Sequence, residues 1–229
     1  MRVRSGWPLE YEWMLSQRVA LVTMPLVAEH WDQAYTERGA AGVSWYEPSA
    51  RVSLELVAEL GVPVDSAVVD VGGGASALAA ALVARGYQDV TVLDVSAVAI
   101  TNAQEHSPGS VKWLHQDVLN WHPERRYGLW HDRAVLHFFT AKAERQAYRR
   151  TLDAAVAVGG HVVLGTFAPD GPNQCSGLPV RRYGAQDLRA YLGDEYFCVT
   201  ERRDDHVTPS AAIQPFTWAA FKRREYPSR

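Results

Sequence analysis

Gly72, Gly74 and Ala77 fit the pattern G-x-G-x-x-A directly after the β-branched run Ala67-Val68-Val69-Asp70-Val71. Missing side chains at such a turn let a ligand approach the backbone and let the following helix pack closely, and Gly73 extends the same opening. Asp94 lies 20 residues beyond Gly74, at the end of the next apolar run, Val90-Thr91-Val92-Leu93-Asp94. A carboxylate there, with Val95 following it, can accept from the hydroxyls of a ribose. The pair reads as a nucleoside site rather than as a glycine turn beside an incidental helix-capping acid. The same geometry suits a nicotinamide dinucleotide, but Asp70 argues against one. An acid two residues before Gly72 opposes a pyrophosphate at the helix N-terminus and attracts a cationic amine or sulfonium. No Tyr-x-x-x-Lys dyad of a short-chain dehydrogenase occurs in the chain.

A second group of candidates lies in Trp130-His131-Asp132-Arg133-Ala134-Val135-Leu136-His137-Phe138. His131, Asp132 and His137 have the chemistry to take a proton from an acceptor or to orient it, since histidine titrates near neutrality and a carboxylate can bind an amine. Each also has an ordinary reading: Asp132 and Arg133 as a structural ion pair, His137 as a residue of a helix start. Trp31, Trp45 and Tyr46 read either as an aromatic lid over a ligand or as core between an N-terminal helix and a sheet. Asn173, Cys175 and Arg182 fall in or just after a Pro- and Gly-rich stretch, a common place for acceptor contacts.

These residues must be held by elements that the pattern also supplies. From about Ser66 onward, short β-branched runs alternate with alanine-rich helical stretches, as expected of a parallel sheet covered on both faces. The first strand turns into a helix over Ser76 to Arg85 closed by Gly86; the second is followed by a helix capped by Ser96 and stopped near Pro108. Val111 to His115 is a third strand, Tyr127 to His131 a weaker fourth. A helix beginning near Thr140 is expected to end at Gly159-Gly160, with His161 to Phe167 as a fifth strand. Ala168 to Pro179 reads as a loop and Ala185 to Leu192 as a short helix. Tyr196 to Arg203 and Pro215 to Lys222 have no helix between them and are expected to pair antiparallel. Upstream, Pro48 to Leu60 is an amphipathic helix and Ala28 to Arg38 another. The fold class is therefore α/β and Rossmann-like, a mostly parallel sheet with helices on both faces and an antiparallel C-terminal strand. One domain over residues 28–229 is expected, with 1–27 as an N-terminal extension dispensable for the site.

On these residues a resemblance becomes specific. Val68-Val69-Asp70-Val71-Gly72-Gly73-Gly74 and Val92-Leu93-Asp94 resemble the first two signature motifs of class I S-adenosylmethionine-dependent methyltransferases, with Ser76 in place of the usual third glycine. Gln116-Asp117 resembles the acidic motif that contacts adenine. The resemblance implies that Asp117 accepts from the adenine amino group while the Val118 amide meets the ring. Val43 to Pro48, Trp130 to Phe138 and Cys175 to Pro179 are similar to small bacterial members, and the first two also to eukaryotic protein-lysine methyltransferases of similar size. The implied fold is a seven-stranded sheet whose last strand inserts antiparallel. The implied cofactor is S-adenosyl-L-methionine, leaving as S-adenosyl-L-homocysteine after direct in-line transfer to nitrogen, oxygen or sulfur. In that reading Trp45 and Tyr46 close the methionine end of the site. A small-molecule acceptor is expected first, a protein lysine second, and a non-catalytic S-adenosylmethionine-binding protein third. No Asn/Asp-Pro-Pro-Tyr motif follows the fourth strand, which disfavours DNA adenine methylation.

Composition narrows the remaining classes. The chain has 229 residues, 47% of them hydrophobic, with a formal net charge of -3. It suits one sizeable core, and nothing in its charge calls for nucleic acid. Cys175 and Cys198 are the only cysteines. They form neither a disulfide framework nor a metal-ligand spacing, so no metal is expected and a reducing, cytoplasmic setting fits. No apolar run reaches membrane-spanning length. Val19 to Ala28 has the length of a signal-peptide core but is approached by charged residues and contains a proline, so secretion is disfavoured.

Overall fold

The computed structural model describes residues 27–107 and 109–225. The expectations for the first 26 residues, including the signal-like stretch before Val27 and the dispensable extension, lie outside them. A helix α1 covers 27–42. It is followed by α2 (Arg51–Glu59), β1 (Val68–Val71), α3 (Leu78–Ala84), β2 (Val90–Asp94), α4 (Ala97–Gln104), β3 (Lys112–His115), β4 (Tyr127–Arg133) and α5 (Lys142–Ala155). The chain continues through β5 (Val156–Phe167), β6 (Gln174–Cys175), β7 (Leu178–Pro179), α6 (Ala185–Leu192), β8 (Tyr196–Val207) and β9 (Ile213–Arg223).

Seven strands form one sheet in the order β3-β2-β1-β4-β5-β9-β8. The first five are parallel, while β9 runs antiparallel to both β5 and β8. Every residue of β1 and β2 is buried, which is why those strands read as unbroken apolar runs rather than alternating ones. One face packs on α2 and α3 through Leu56, Leu78 and Leu82, and the other on α5 and α6 through Tyr148, Leu152 and Leu188. The chain reverses its direction of sheet growth between β1 and β4, and the crevice beyond their carboxyl ends is where an open α/β sheet binds ligands.

Two expectations are corrected. The helix before β5 ends at Ala155, not at Gly159-Gly160. Val156 is already extended, wholly buried and paired with Tyr127. The two glycines sit inside β5 beside a register shift, with Gly159 at φ +75°. Within Ala168 to Pro179, Cys175 pairs with Leu178 in a minimal hairpin. Its two central residues, Ser176 and Gly177, have φ of +51° and +77°. Two successive left-handed residues make the tight turn that matches strand twist. The C-terminal antiparallel pair is as expected, but longer at both strands.

Candidate active site

The turn after β1 is built around space for backbone. Gly72 has φ +65°, and a Cβ there would lie 2.1 Å from Val135 Cγ2; one at Gly73 would lie 2.4 Å from Asp70 Oδ2. Ser76 N donates to Gly73 O at 2.7 Å and closes the turn. Ser76 Oγ accepts from Leu78 N at 3.0 Å. The residue that departs from the third glycine thus satisfies an orphan donor at the start of α3.

Two adjoining cavities open beyond β1, β2 and β4. The first, about 810 Å³ with its mouth included, is lined by Asp94, Val95, Asp117 and Val118 and by an aromatic wall of Trp31, Tyr35, Trp45 and Phe138. The second is lined by Asp70, Gly73, Tyr46, Glu47, Ser53 and His131. Tyr35, Trp45, Val71, Gly72 and Arg133 border both. Gly74 lies against the same acid: a Cβ there would be 2.9 Å from Asp94 Oδ2.

Asp94 ends β2 and accepts from Ser96 N at 2.8 Å. Burial pushes its carboxyl up to about 6; the Ser96 amide pulls it back, and the charge of Asp70 adds to the rise. Asp117 accepts from Leu119 N at 2.8 Å and from Asn120 Nδ2 at 3.0 Å, fixing the turn that carries Val118. Asp70 is 2% exposed. Its Oδ1 meets His131 Nδ1 at 2.7 Å, whereas Oδ2 is buried without a hydrogen-bond partner. His131 Nε2 in turn meets Ser53 Oγ at 2.9 Å.

Asp132 and His137 line neither cavity. The Asp132 carboxylate accepts from Val135 N at 2.9 Å, from Leu136 N at 3.0 Å and from the Tyr148 hydroxyl. Burial pushes it up to about 6, against the pull of those donors. His137 is wholly enclosed, its ring against Phe138 and Phe167, and burial pushes it down to about 3. Asp132 and Arg133 do not pair: neighbours on a strand point to opposite faces. Arg133 instead donates from Nη1 to Trp45 O at 2.9 Å and lies 3.1 Å from Glu47 Oε1. Its position at the junction of the two cavities was not evident from sequence. Tyr35 was also missed: Trp45 Nε1 donates to its hydroxyl at 3.0 Å. Burial, with Asp94 adding, raises that phenol above its ordinary range.

Trp31, Trp45 and Tyr46 are partly buried, and Trp31 meets Trp45 and Phe138 edge to face at 5.4 and 4.9 Å. They are at once packing and cavity wall. Cys175 reaches the first cavity, with its thiol pushed up to about 11 by burial, so it is no thiolate. Asn173 and Arg182 do not line the cavities. Among the described residues no cluster could hold a metal ion, and no helix is long and apolar enough to cross a membrane.

Residues 68–160 match the family described as a methyltransferase domain. No curated protein matches the sequence significantly. Solved structures of the same fold include the Burkholderia thailandensis 1,6-didemethyltoxoflavin-N1-methyltransferase, bound to 1,6-didemethyltoxoflavin and S-adenosylhomocysteine. That match is 20% identical, spans 97% of this chain and 94% of that one, and has a TM-score of 0.63. The Bradyrhizobium japonicum N-methyltransferase NodS, bound to S-adenosylhomocysteine, is 19% identical over 85% of this chain and 98% of that one, with a TM-score of 0.66. The magnesium protoporphyrin IX methyltransferase of Synechocystis is 15% identical over 87% of this chain and 99% of that one, also at 0.66.

Proposed function

We propose that the chain is a class I S-adenosylmethionine-dependent methyltransferase and that it methylates nitrogen, oxygen or sulfur of a small molecule by direct in-line displacement. The observation that carries this reading is the pair of adjoining cavities with acids at their two ends. Asp94 and Asp117 stand at one end, and the unpartnered Asp70 Oδ2 stands at the other beside a glycine cradle. That donor and acceptor set suits a nucleoside joined to a cationic amino-acid chain. S-adenosylmethionine supplies a methyl group on a sulfonium, whose leaving group is the neutral thioether of S-adenosylhomocysteine.

The residues divide the work. Asp94 receives the ribose hydroxyls, Asp117 and the Val118 amide the edge of the adenine, and Gly72 to Gly74 leave the backbone open to the chain between them. Asp70 faces the cationic end. With Asp94 it makes the site electronegative, which favours a cationic donor over its neutral product. Arg133 holds the strap at Trp45 to the end of β4, so that Trp45 and Tyr35 wall the neck where the two cavities meet. No proton acceptor is assigned. Asp132 and His137 are committed to the loop behind the cavity, and catalysis rests on positioning and desolvation.

The aromatic and apolar wall formed by Trp31, Trp45, Phe138 and Cys175 favours a metabolite over a lysine side chain, which an acidic groove would suit better. Relatives of the same fold are named for 1,6-didemethyltoxoflavin and magnesium protoporphyrin IX, which supports the same choice. Incubation with S-adenosylmethionine labelled in its methyl group, against metabolite pools and against intact lysate, tests the reading. Label in a small molecule is expected. Label in protein alone moves the assignment to lysine, and no S-adenosylhomocysteine from any acceptor leaves a binding protein.

A further inference from the structure

We propose that His131, itself held by Ser53, is a positioning residue that fixes the Asp70 carboxylate so that its second oxygen meets the amino-acid end of the methyl donor. The proposal rests on the reading of the cavities as an S-adenosylmethionine site. β1 and β4 are paired with Asp70 opposite His131, so their side chains emerge on the same face of the sheet. His131 Nδ1 lies 2.7 Å from Asp70 Oδ1 and Nε2 lies 2.9 Å from Ser53 Oγ, in an unbroken chain whose members are each at most 2% exposed. A carboxylate only accepts, so Nδ1 carries the proton on that side, and Ser53 fixes the other side of the ring.

One carboxylate oxygen is thereby tied down and the other left over. Asp70 Oδ2 has no hydrogen-bond partner and lies where a Cβ at Gly73 would come within 2.4 Å, at the wall of the second cavity. Buried anionic oxygens are normally paired, and a cationic ligand group is the partner this one lacks. Without His131 the carboxylate is free to rotate and to turn Oδ2 away from the cavity. The relay therefore acts on the amino-acid end of the ligand alone and leaves the nucleoside end untouched.

The test uses two probes, S-adenosylhomocysteine and methylthioadenosine, which share the nucleoside thioether but not the amino-acid end. His131→Leu is expected to weaken S-adenosylhomocysteine tenfold or more by calorimetric titration and to leave methylthioadenosine within about twofold. His131→Asn, whose amide nitrogen takes the place of Nδ1, is expected to restore most of the loss, and Ser53→Ala to show a smaller loss of the same selectivity. Methylthioadenosine binding reports that each variant retains a folded site. Equal losses for both probes, or an unchanged preference in His131→Leu, would reduce His131 to a structural residue. Wild-type protein that binds neither probe overturns the donor-site reading itself, and this proposal with it.

Discussion

The Tyr148 hydroxyl donates to Asp132 Oδ2 while accepting from Trp130 Nε1 at 3.0 Å, and all three side chains are buried. Asp132 in turn holds the amides of Val135 and Leu136, so α5 fixes the loop that carries Val135 to the face of Gly72. Tyr148→Phe orphans an indole donor and removes one charge-assisted hydrogen bond. A loss of about 2–4 kcal/mol is expected in denaturant unfolding, with S-adenosylhomocysteine affinity in the folded protein changed little. Asp132→Asn should behave in the same way. A variant of normal stability with lost turnover would return Asp132 to the chemistry.

His137 sets a pH dependence of stability. Burial holds its folded value near 3, against an ordinary value of 6.5, so the unfolded chain takes up the proton first. Its contribution is present above pH 6.5 and is lost as pH falls below it, by up to about 1.4 kcal/mol per pH unit. The stability of His137→Phe should therefore fall less between pH 7 and 5 than that of the wild type. Parallel pH profiles for the two proteins would show that His137 is charged in the native state.

At Gly72 the prediction is steric. An alanine there meets Val135 at 2.1 Å in a left-handed backbone conformation, and either the turn or the Val135 loop must move into the neck. Gly72→Ala is expected to weaken S-adenosylhomocysteine at least tenfold by calorimetry, whereas Gly86→Ala, with φ +92° but open space around it, should cost stability and not affinity. Equal affinities for the two variants would place the ligand elsewhere.

The parts of the fold legible in sequence were those with local causes. β1 and β2 are buried on both faces and read as continuous apolar runs, and the glycine turn and Asp94 stand at a spacing set by one β-α-β unit. The end of α5 was misplaced because Val156 leaves the helix to pair with Tyr127, a contact between distant segments, while the conspicuous glycines serve a strand irregularity. The partners of His131 and Arg133 depend on strand register and on the strap at Trp45 and Glu47. Reading β4 as ending at His131 also hid the alternation that sends Asp132 toward Tyr148 and Arg133 toward the cavities. The aromatic wall was legible as residues but not as a wall, since Trp31 and Tyr35 arrive on α1 and Phe138 from beyond β4.

The central claim is that Asp94 receives the ribose of S-adenosylmethionine, and titration of S-adenosylhomocysteine into wild type and Asp94→Ala tests it most directly. One site is expected in the wild type, with affinity falling as pH drops through about 6, where the carboxyl takes up its proton and ceases to be the stronger acceptor. Asp94→Ala should weaken binding roughly tenfold or more, since each charge-assisted hydrogen bond is worth about 1.5–3 kcal/mol, without a comparable loss of folding. Unchanged affinity in Asp94→Ala, or tight binding of NAD by the wild type in place of S-adenosylhomocysteine, would contradict the account.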